Sequence, residues 1–463
     1  MTSLRLALAV PPANHQGFDR KVLERWRGRD GLDLVVFPEG WRTVTADEFS
    51  LASAREACVA AVREVADDLG MPVLAGISCW LEGGGIQCAA YVNPSPEKGE
   101  TAEHFYAKHS TSEVLPYELP DYAEEREALF APIALRGRHL GVQLCHDQFF
   151  GLVSEKLTRA GADVLLDLTG DSVVRSKWTN VITGRTLERP APYFCTMSER
   201  ATKTSNEAFA LGMRDGRAIT PLETAKSAKH GKLVLYAVDA PLAPFALRQA
   251  FSPKSYTAFT IRFTRGSADL VVLPKEVSAA KATAWKELRV GATKVGVLEL
   301  SLEALLDPLA IHRHEALKSP FGAHIVCFVA GDRPALPRPK DELIALARLR
   351  AIEHRVAVVI SAPDVQEVIK SSRYKNIQRF PVTDGEVGIE LDFLEGTYAS
   401  MGKTAGKGIA TEFQETYKGL LDPIVGSLRK EATKKRESVG TAEALLGKIA
   451  FSLGEVVGGW RRE

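Results

Sequence analysis

Three residues of this 463-residue chain have the types and settings that nucleophilic chemistry uses. Cys145 ends a strand-like stretch, His139 to Leu144. Glu39 follows the apolar run Leu34-Val35-Val36-Phe37 and Pro38, and Lys108 stands in Phe105-Tyr106-Ala107-Lys108-His109. A thiol of pKa about 8.5 is mostly protonated at neutral pH, so as a nucleophile it needs a base within hydrogen-bond reach. Attack on an amide or nitrile carbon builds negative charge, which an ammonium can stabilise. Taken singly, none of the three is informative, because a lone cysteine after an apolar strand is more often a core residue.

The elements that would carry these residues read as a layered α/β architecture. Leu4, Leu6, Leu8 and Val10 alternate as in a strand, Asp19 to Arg29 is helix-compatible, and Leu34 to Phe37 reads as a strand buried on both faces. Thr45-Ala46-Asp47-Glu48 fits a capping box opening a helix that carries Leu51, Cys58, Val62, Val65 and Leu69 and stops at Gly70 and Pro72. Strands follow at Val73 to Cys79 and Ile86 to Val92, joined by a turn at Gly83-Gly84-Gly85. After Cys145 a helix-like stretch reaches Ala160 and leads into Gly161-Ala162-Asp163-Val164-Leu165-Leu166.

Composition narrows the classes. Fifty-nine basic against 58 acidic residues leave a formal charge of +1, so no broad basic field exists to hold nucleic acid. The apolar N-terminal run is too short for a secretory segment and no 18-residue apolar stretch follows, which predicts a soluble, cytoplasmic protein with no membrane partner. Six cysteines without CxxC pairing argue against a zinc site or a disulfide framework, so neither a metal nor a cofactor is expected.

In order along the chain, Val36-Phe37-Pro38-Glu39, Phe105 to His109 and Gly141-Val142-Gln143-Leu144-Cys145-His146-Asp147 resemble the three signature segments of the nitrilase superfamily of carbon–nitrogen hydrolases. One departure is that His109 follows Lys108 directly. Tyr122-Ala123-Glu124-Glu125-Arg126 is similar to the family's FxExR segment, and Gly161-Ala162-Asp163 and Arg185-Thr186-Leu187-Glu188 to its later ones. The resemblance covers about residues 4 to 240. It implies a domain over 1–245 with an αββα sandwich that forms four layers on pairing. Cys145 would be the nucleophile, Glu39 the base and Lys108 the oxyanion stabiliser, with Glu124 a second acid fixing Lys108 and the substrate amine. His146 and Asp147 would contact substrate. A Cys-x-Asp ending, rather than the Cys-Trp-Glu of members acting on nitriles, points to an amide or N-carbamoyl substrate.

Beyond residue 245 the three signature residues do not recur, but later segments do. Gly322 to Asp332 parallels Gly161 to Asp171, Arg350-Ala351-Ile352-Glu353 parallels Arg185 to Glu188, and Asp384-Gly385 parallels Asp215-Gly216. Gly296-Val297-Leu298-Glu299-Leu300 stands where Gly141 to Cys145 would, with Leu300 in place of the thiol. Residues 246–395 are therefore either a degenerate nitrilase-like module truncated at its start or ordinary α/β segments alike by chance. Because members of the family pair sheets across a dimer, a homo-oligomer or a fused pseudo-module in the partner's place is compatible with this reading. Residues 396–463 read as a helical C-terminal region, with a near-miss to a phosphate loop at Gly396 to Thr404 and helices near Ile409 to Leu428 and after Thr441.

The expected function is hydrolysis of a small amide or N-carbamoyl compound through a cysteine thioester. If an amine resolves the thioester the same site is an acyltransferase. The contrasting reading is a non-catalytic binding or regulatory protein on this fold.

Overall fold

A computed structural model of the chain describes residues 3–12, 16–110, 112–170, 175–188, 191–198 and 209–238, together with 339–354 and the strands named below between 260 and 390. Two compact units divide the chain, the first running over Met1–Ala246. That unit begins β1 (Leu4–Val10), α1 (Arg20–Asp30), β2 (Leu34–Thr45), α2 (Leu51–Leu69), β3 (Val73–Leu81), β4 (Gly84–Val92) and β5 (Glu103–Ala107). It continues α3 (Tyr122–Leu129), β6 (Ile133–Leu135), β7 (Arg138–Leu144), α4 (Gly151–Arg159), β8 (Val164–Thr169) and α5 (Arg175–Glu188). Strands β9 (Tyr193–Met197), β10 (Ala210–Arg214), β11 (Arg217–Ala218), β12 (Glu223–Ser227) and β13 (Gly231–Val238) complete it.

Two sheets result, of order β12-β13-β1-β2-β3-β4-β5 and β11-β10-β9-β8-β7-β6. They face each other, with β1 and β2 against β8 and β9, while α2 covers the first sheet and α4 and α5 the second. This is an αββα sandwich. Its middle strands are covered on both faces, which explains why β1 buries Ala7 and Ala9 along with Leu6 and Leu8. Helix α2 buries Leu51, Ala54, Cys58, Val59, Val62, Val65, Ala66 and Leu69 on one stripe, and each large aliphatic there contributes roughly 1.5–3 kcal/mol.

Caps set the helix bounds. Asp19 accepts from Val22 N at 3.3 Å to open α1, and Gly31 and Gly70 end α1 and α2 in the left-handed region. The expected capping box at Thr45 is replaced. Strand β2 continues through Thr45, and α2 opens at Ser50, whose hydroxyl accepts from Ser53 N, while Asp121 accepts from Leu51 N and Ala52 N at 2.8 and 2.9 Å. A carboxylate 70 residues away in sequence thus supplies what the local motif would have supplied.

β2 is also longer than its apolar run because it bulges. Between the pairs Phe37↔Ala75 and Arg42↔Ile77 it advances five residues while β3 advances two. Gly76 permits this, since a Cβ there would lie 2.4 Å from Glu39 Cα and 2.6 Å from Pro38 O.

In the second unit, β14 (Thr260–Arg265), β15 (Ala268–Val272) and β22 (Glu386–Glu390) form a three-stranded sheet in the order β15-β14-β22. Strands β16 (Lys286–Val290), β17 (Thr293–Glu299), β18 (Ile325–Val329), β19 (Ala357–Ala362), β20 (Val365–Lys370) and β21 (Gln378–Pro381) form a six-stranded one in sequence order. α6 (Lys340–His354) packs on β19 and β20 and carries Arg350 and Glu353. Leu300, Gly322, Asp332, Asp384-Gly385 and the whole of 396–463, with its phosphate-loop near-miss and expected helices, lie outside the described residues.

Candidate active site

The bulge in β2 turns Glu39 inward. Gly40 in the left-handed region (φ 66°) completes the departure from regular strand, and Glu39 is 9% exposed. Its Oε1 lies 2.7 Å from Lys108 Nζ, and its Oε2 accepts from Gly170 N at 2.8 Å. Lys108 follows β5 directly and is fixed by its own N–H, which donates to Gln87 O at 2.8 Å. Burial works against the Lys108 ammonium, yet the Glu39 carboxylate, with Cys145 and Asp147, outweighs it and holds the pKa above the usual lysine range. Two opposite charges desolvated together are stable only because each keeps its partner.

Cys145 leaves β7 at φ 45°, in the left-handed region that a side chain rarely adopts, and opens a 3₁₀ turn, Cys145–Phe149. Burial raises its pKa well above the usual thiol value, and the Glu39 charge adds to this. Lys108 and the N–H of Gly170 act in the other direction. The group therefore rests as a thiol beside a carboxylate and an ammonium, and Gly170 N–H serves both Glu39 and Cys145. A Cβ on Gly170 would lie 2.6 Å from Glu39 Oε2.

The other expected residues are placed differently from one another. Asp147 is fully buried and both its oxygens are occupied: Oδ2 accepts from Tyr106 OH at 2.7 Å and His109 N at 3.2 Å, and Oδ1 from Ser110 Oγ at 2.7 Å. The carboxylate is thus bonded to the segment around Lys108. Glu124 sits exposed on α3, and among the described residues no hydrogen bond joins it to the Glu39–Lys108 pair. Its neighbour Glu125 pairs with Arg55. His146 is half-buried, edge-on to Phe149 and Phe150 at 4.9 and 5.5 Å.

Residues 19–209 match the family model described as carbon-nitrogen hydrolase. The match spans most of the first unit, and that segment is similar to carbon-nitrogen hydrolases. Among solved structures, a carbon-nitrogen hydrolase from Helicobacter pylori G27 is similar at 13% identity and a TM-score of 0.34, covering 51% of this chain and 89% of that one. An amidase from Nesterenkonia sp. is similar at 16% identity and 0.35, covering 51% and 90%. A CN-hydrolase superfamily protein from Xanthomonas campestris, with an arsenic adduct in its active site, gives 18% and 0.35, covering 52% and 92%. No curated protein matches the chain in sequence.

In the first unit, further residues complete the surroundings. Asp167 on β8 is fully buried, and burial pushes its carboxyl up to about 7 although Thr169 Oγ1 and Trp178 Nε1 donate to Oδ2 at 2.8 and 3.2 Å. Arg185 is fully buried on α5 and donates through Nε and Nη2 to Gln148 O at 2.9 and 2.6 Å, which ties the Cys145 turn to the core pair Arg185–Glu188 (2.7 Å). Tyr106 and Ser110 flank Lys108 in sequence, and that adjacency was their one available signal. Among the described residues, no group of three or more His, Cys, Asp or Glu could hold a metal ion, and no helix is long and apolar enough to cross a membrane.

Proposed function

We propose that the domain hydrolyses the C–N bond of a small amide or N-carbamoyl compound through a thioester on Cys145. One observation carries the reading: a carboxylate and an ammonium sit 2.7 Å apart inside the protein and both act on a thiol held in a left-handed turn. Glu39 takes the thiol proton as sulfur bonds to the carbonyl carbon, and Lys108 with a backbone N–H near Cys145 stabilises the oxygen that gains charge. Glu39 passes the proton to the leaving nitrogen, the C–N bond breaks and the amine departs. Water, deprotonated by Glu39, then cleaves the thioester and returns Cys145 to the thiol. Small substrate is the one partner this chemistry requires.

Incubation with a panel of amides and N-carbamoyl compounds, followed by intact mass spectrometry, should reveal an acyl adduct that Cys145→Ala abolishes. Glu39→Gln should keep the fold and lose turnover. A panel with neither adduct nor turnover would overturn the proposal, and unchanged turnover in Glu39→Gln would remove that residue as the base.

A further inference from the structure

Every hydrogen bond to the Asp147 side chain comes from the segment that bears Lys108. Tyr106 lies two residues before the lysine, and His109 and Ser110 follow it. Asp147 itself lies two residues after Cys145 in the 3₁₀ turn. One carboxylate therefore staples the nucleophile turn to the end of β5, two segments about 40 residues apart that share no strand pairing. We infer that Asp147 is a positioning residue: as a carboxylate it sets where Lys108 stands relative to Cys145. This rests on the proposed roles of those two residues.

The charge matters as well as the bonds. Asp147 acts on Lys108 by direct attraction, in the same sense as Glu39. Burial pushes the Asp147 carboxyl up to about 6, against the pull of Lys108 and of its three donors. The charged and titratable groups around it are Lys108 and Tyr106 from the β5 segment, Cys145 on its own turn, Glu39 through its bond to Lys108, and Asp167 on β8 through Tyr106. Tyr106 is held well above the phenol range by burial, and the His109 ring is pulled down to about 3 by burial, so neither changes charge between pH 5 and 8. Protonation of Asp147 would remove an acceptor and a charge at once, letting the Lys108 segment shift.

The test compares Asp147→Asn, Asp147→Ala and Ser110→Ala by two readouts against pH: kcat/KM on an amide substrate, and the rate of Cys145 alkylation by iodoacetamide followed by mass, which needs no substrate. Asparagine can keep all three bonds, its oxygen facing Tyr106 and His109 N–H and its amide facing a rotated Ser110 hydroxyl, but it cannot titrate. The expected results are an inflection near pH 6 in the native protein that is absent in Asp147→Asn. In Ser110→Ala it should move up by about one pH unit, because the carboxylate has lost a donor. Asp147→Ala should lower kcat about a hundredfold with little change in KM, and Asp147→Asn, which keeps the bonds but not the charge, should recover only part of that loss. The same inflection in all variants would overturn the inference, as would Asp147→Asn failing as badly as Asp147→Ala. If no panel substrate turns over, the hydrolase proposal fails, while the alkylation profile still decides the role of Asp147.

Discussion

The sheet β6–β11 of the first unit and the sheet β16–β21 of the second have one plan. In each, an antiparallel edge strand leads into three parallel strands, followed by two antiparallel ones. The register agrees too. Gly141 pairs with Leu165 as Gly296 pairs with Val326, and Leu165 pairs with Tyr193 as Val326 pairs with Val358. In both, the helix before the third parallel strand buries an Arg-x-x-Glu ion pair, Arg185–Glu188 and Arg350–Glu353, with the arginine eight residues before that strand partner (193 − 185 and 358 − 350). What differs is what the plan carries. Strand β7 ends on a thiol, opposite a bulge bearing Glu39 and a strand end bearing Lys108. The sequence after β17 continues with Leu300. A frame and the residues it carries are thus separable: the frame recurs where the thiol does not.

Four experiments would break or sharpen this contrast. The largest effect is expected from Cys145→Ala, which should reduce amide turnover to the level of buffer, and Leu300→Cys in that background should restore none of it. Recovery of turnover would show that the second unit keeps a working site.

Next are the two arginines. Arg185→Ala and Arg350→Ala each remove one charge of a buried ion pair and should each cost about 3–5 kcal/mol in denaturant unfolding. Only Arg185 also grips the carbonyl of Gln148, so only its loss should slow turnover of the remaining folded protein. Equal effects on turnover would mean that the grip is irrelevant.

Gly170→Ala comes third. A methyl 2.6 Å from Glu39 Oε2 must displace that carboxylate, and turnover should fall about a hundredfold with the fold intact. Activity within a few-fold of the native protein would show that Glu39 tolerates displacement.

The smallest effect concerns acid. His109 stacks on Phe130 with ring centroids 4.8 Å apart, and burial lowers its pKa from 6.5 to about 3. Below pH 6.5 the unfolded chain binds a proton that the folded one refuses, so the stability contributed by the neutral ring is present above 6.5 and is lost as pH falls toward 3. His109→Leu should remove about 2 kcal/mol of acid-induced loss between pH 7 and 5, seen as a flatter Tm profile. An unchanged slope would assign the acid sensitivity elsewhere.

Much of the first unit was legible in the sequence because its signals are local. The apolar runs at Leu34 and His139, the glycines at 83–85 and the stop at Gly70 each act within a few residues. The αββα plan itself came from the resemblance. What escaped was set by distant partners. Asp121 displaced the capping box at Thr45, and Gly76 made the bulge at Glu39, both from across the fold. At the site, Glu39 and Lys108 form a direct pair, while Glu124 lies exposed and Asp147 is buried among donors. An acidic run on a helix cannot announce which face meets water, whereas Asp147 is committed by three donors that lie near one another only after β5 and β7 are in place. The recurring plan in the second unit was visible as spacing between Arg350 and its neighbours, but strand register supplies the rest.

Gly76 and Gly170 have a consequence for how this centre would look in a survey of tolerated substitutions. Each makes room for Glu39 by lacking an atom, one behind its backbone and one against its carboxylate. A survey ranking every position by tolerance should therefore find these two as intolerant as the thiol. Glu39 would then be outlined by two positions that have no side chain.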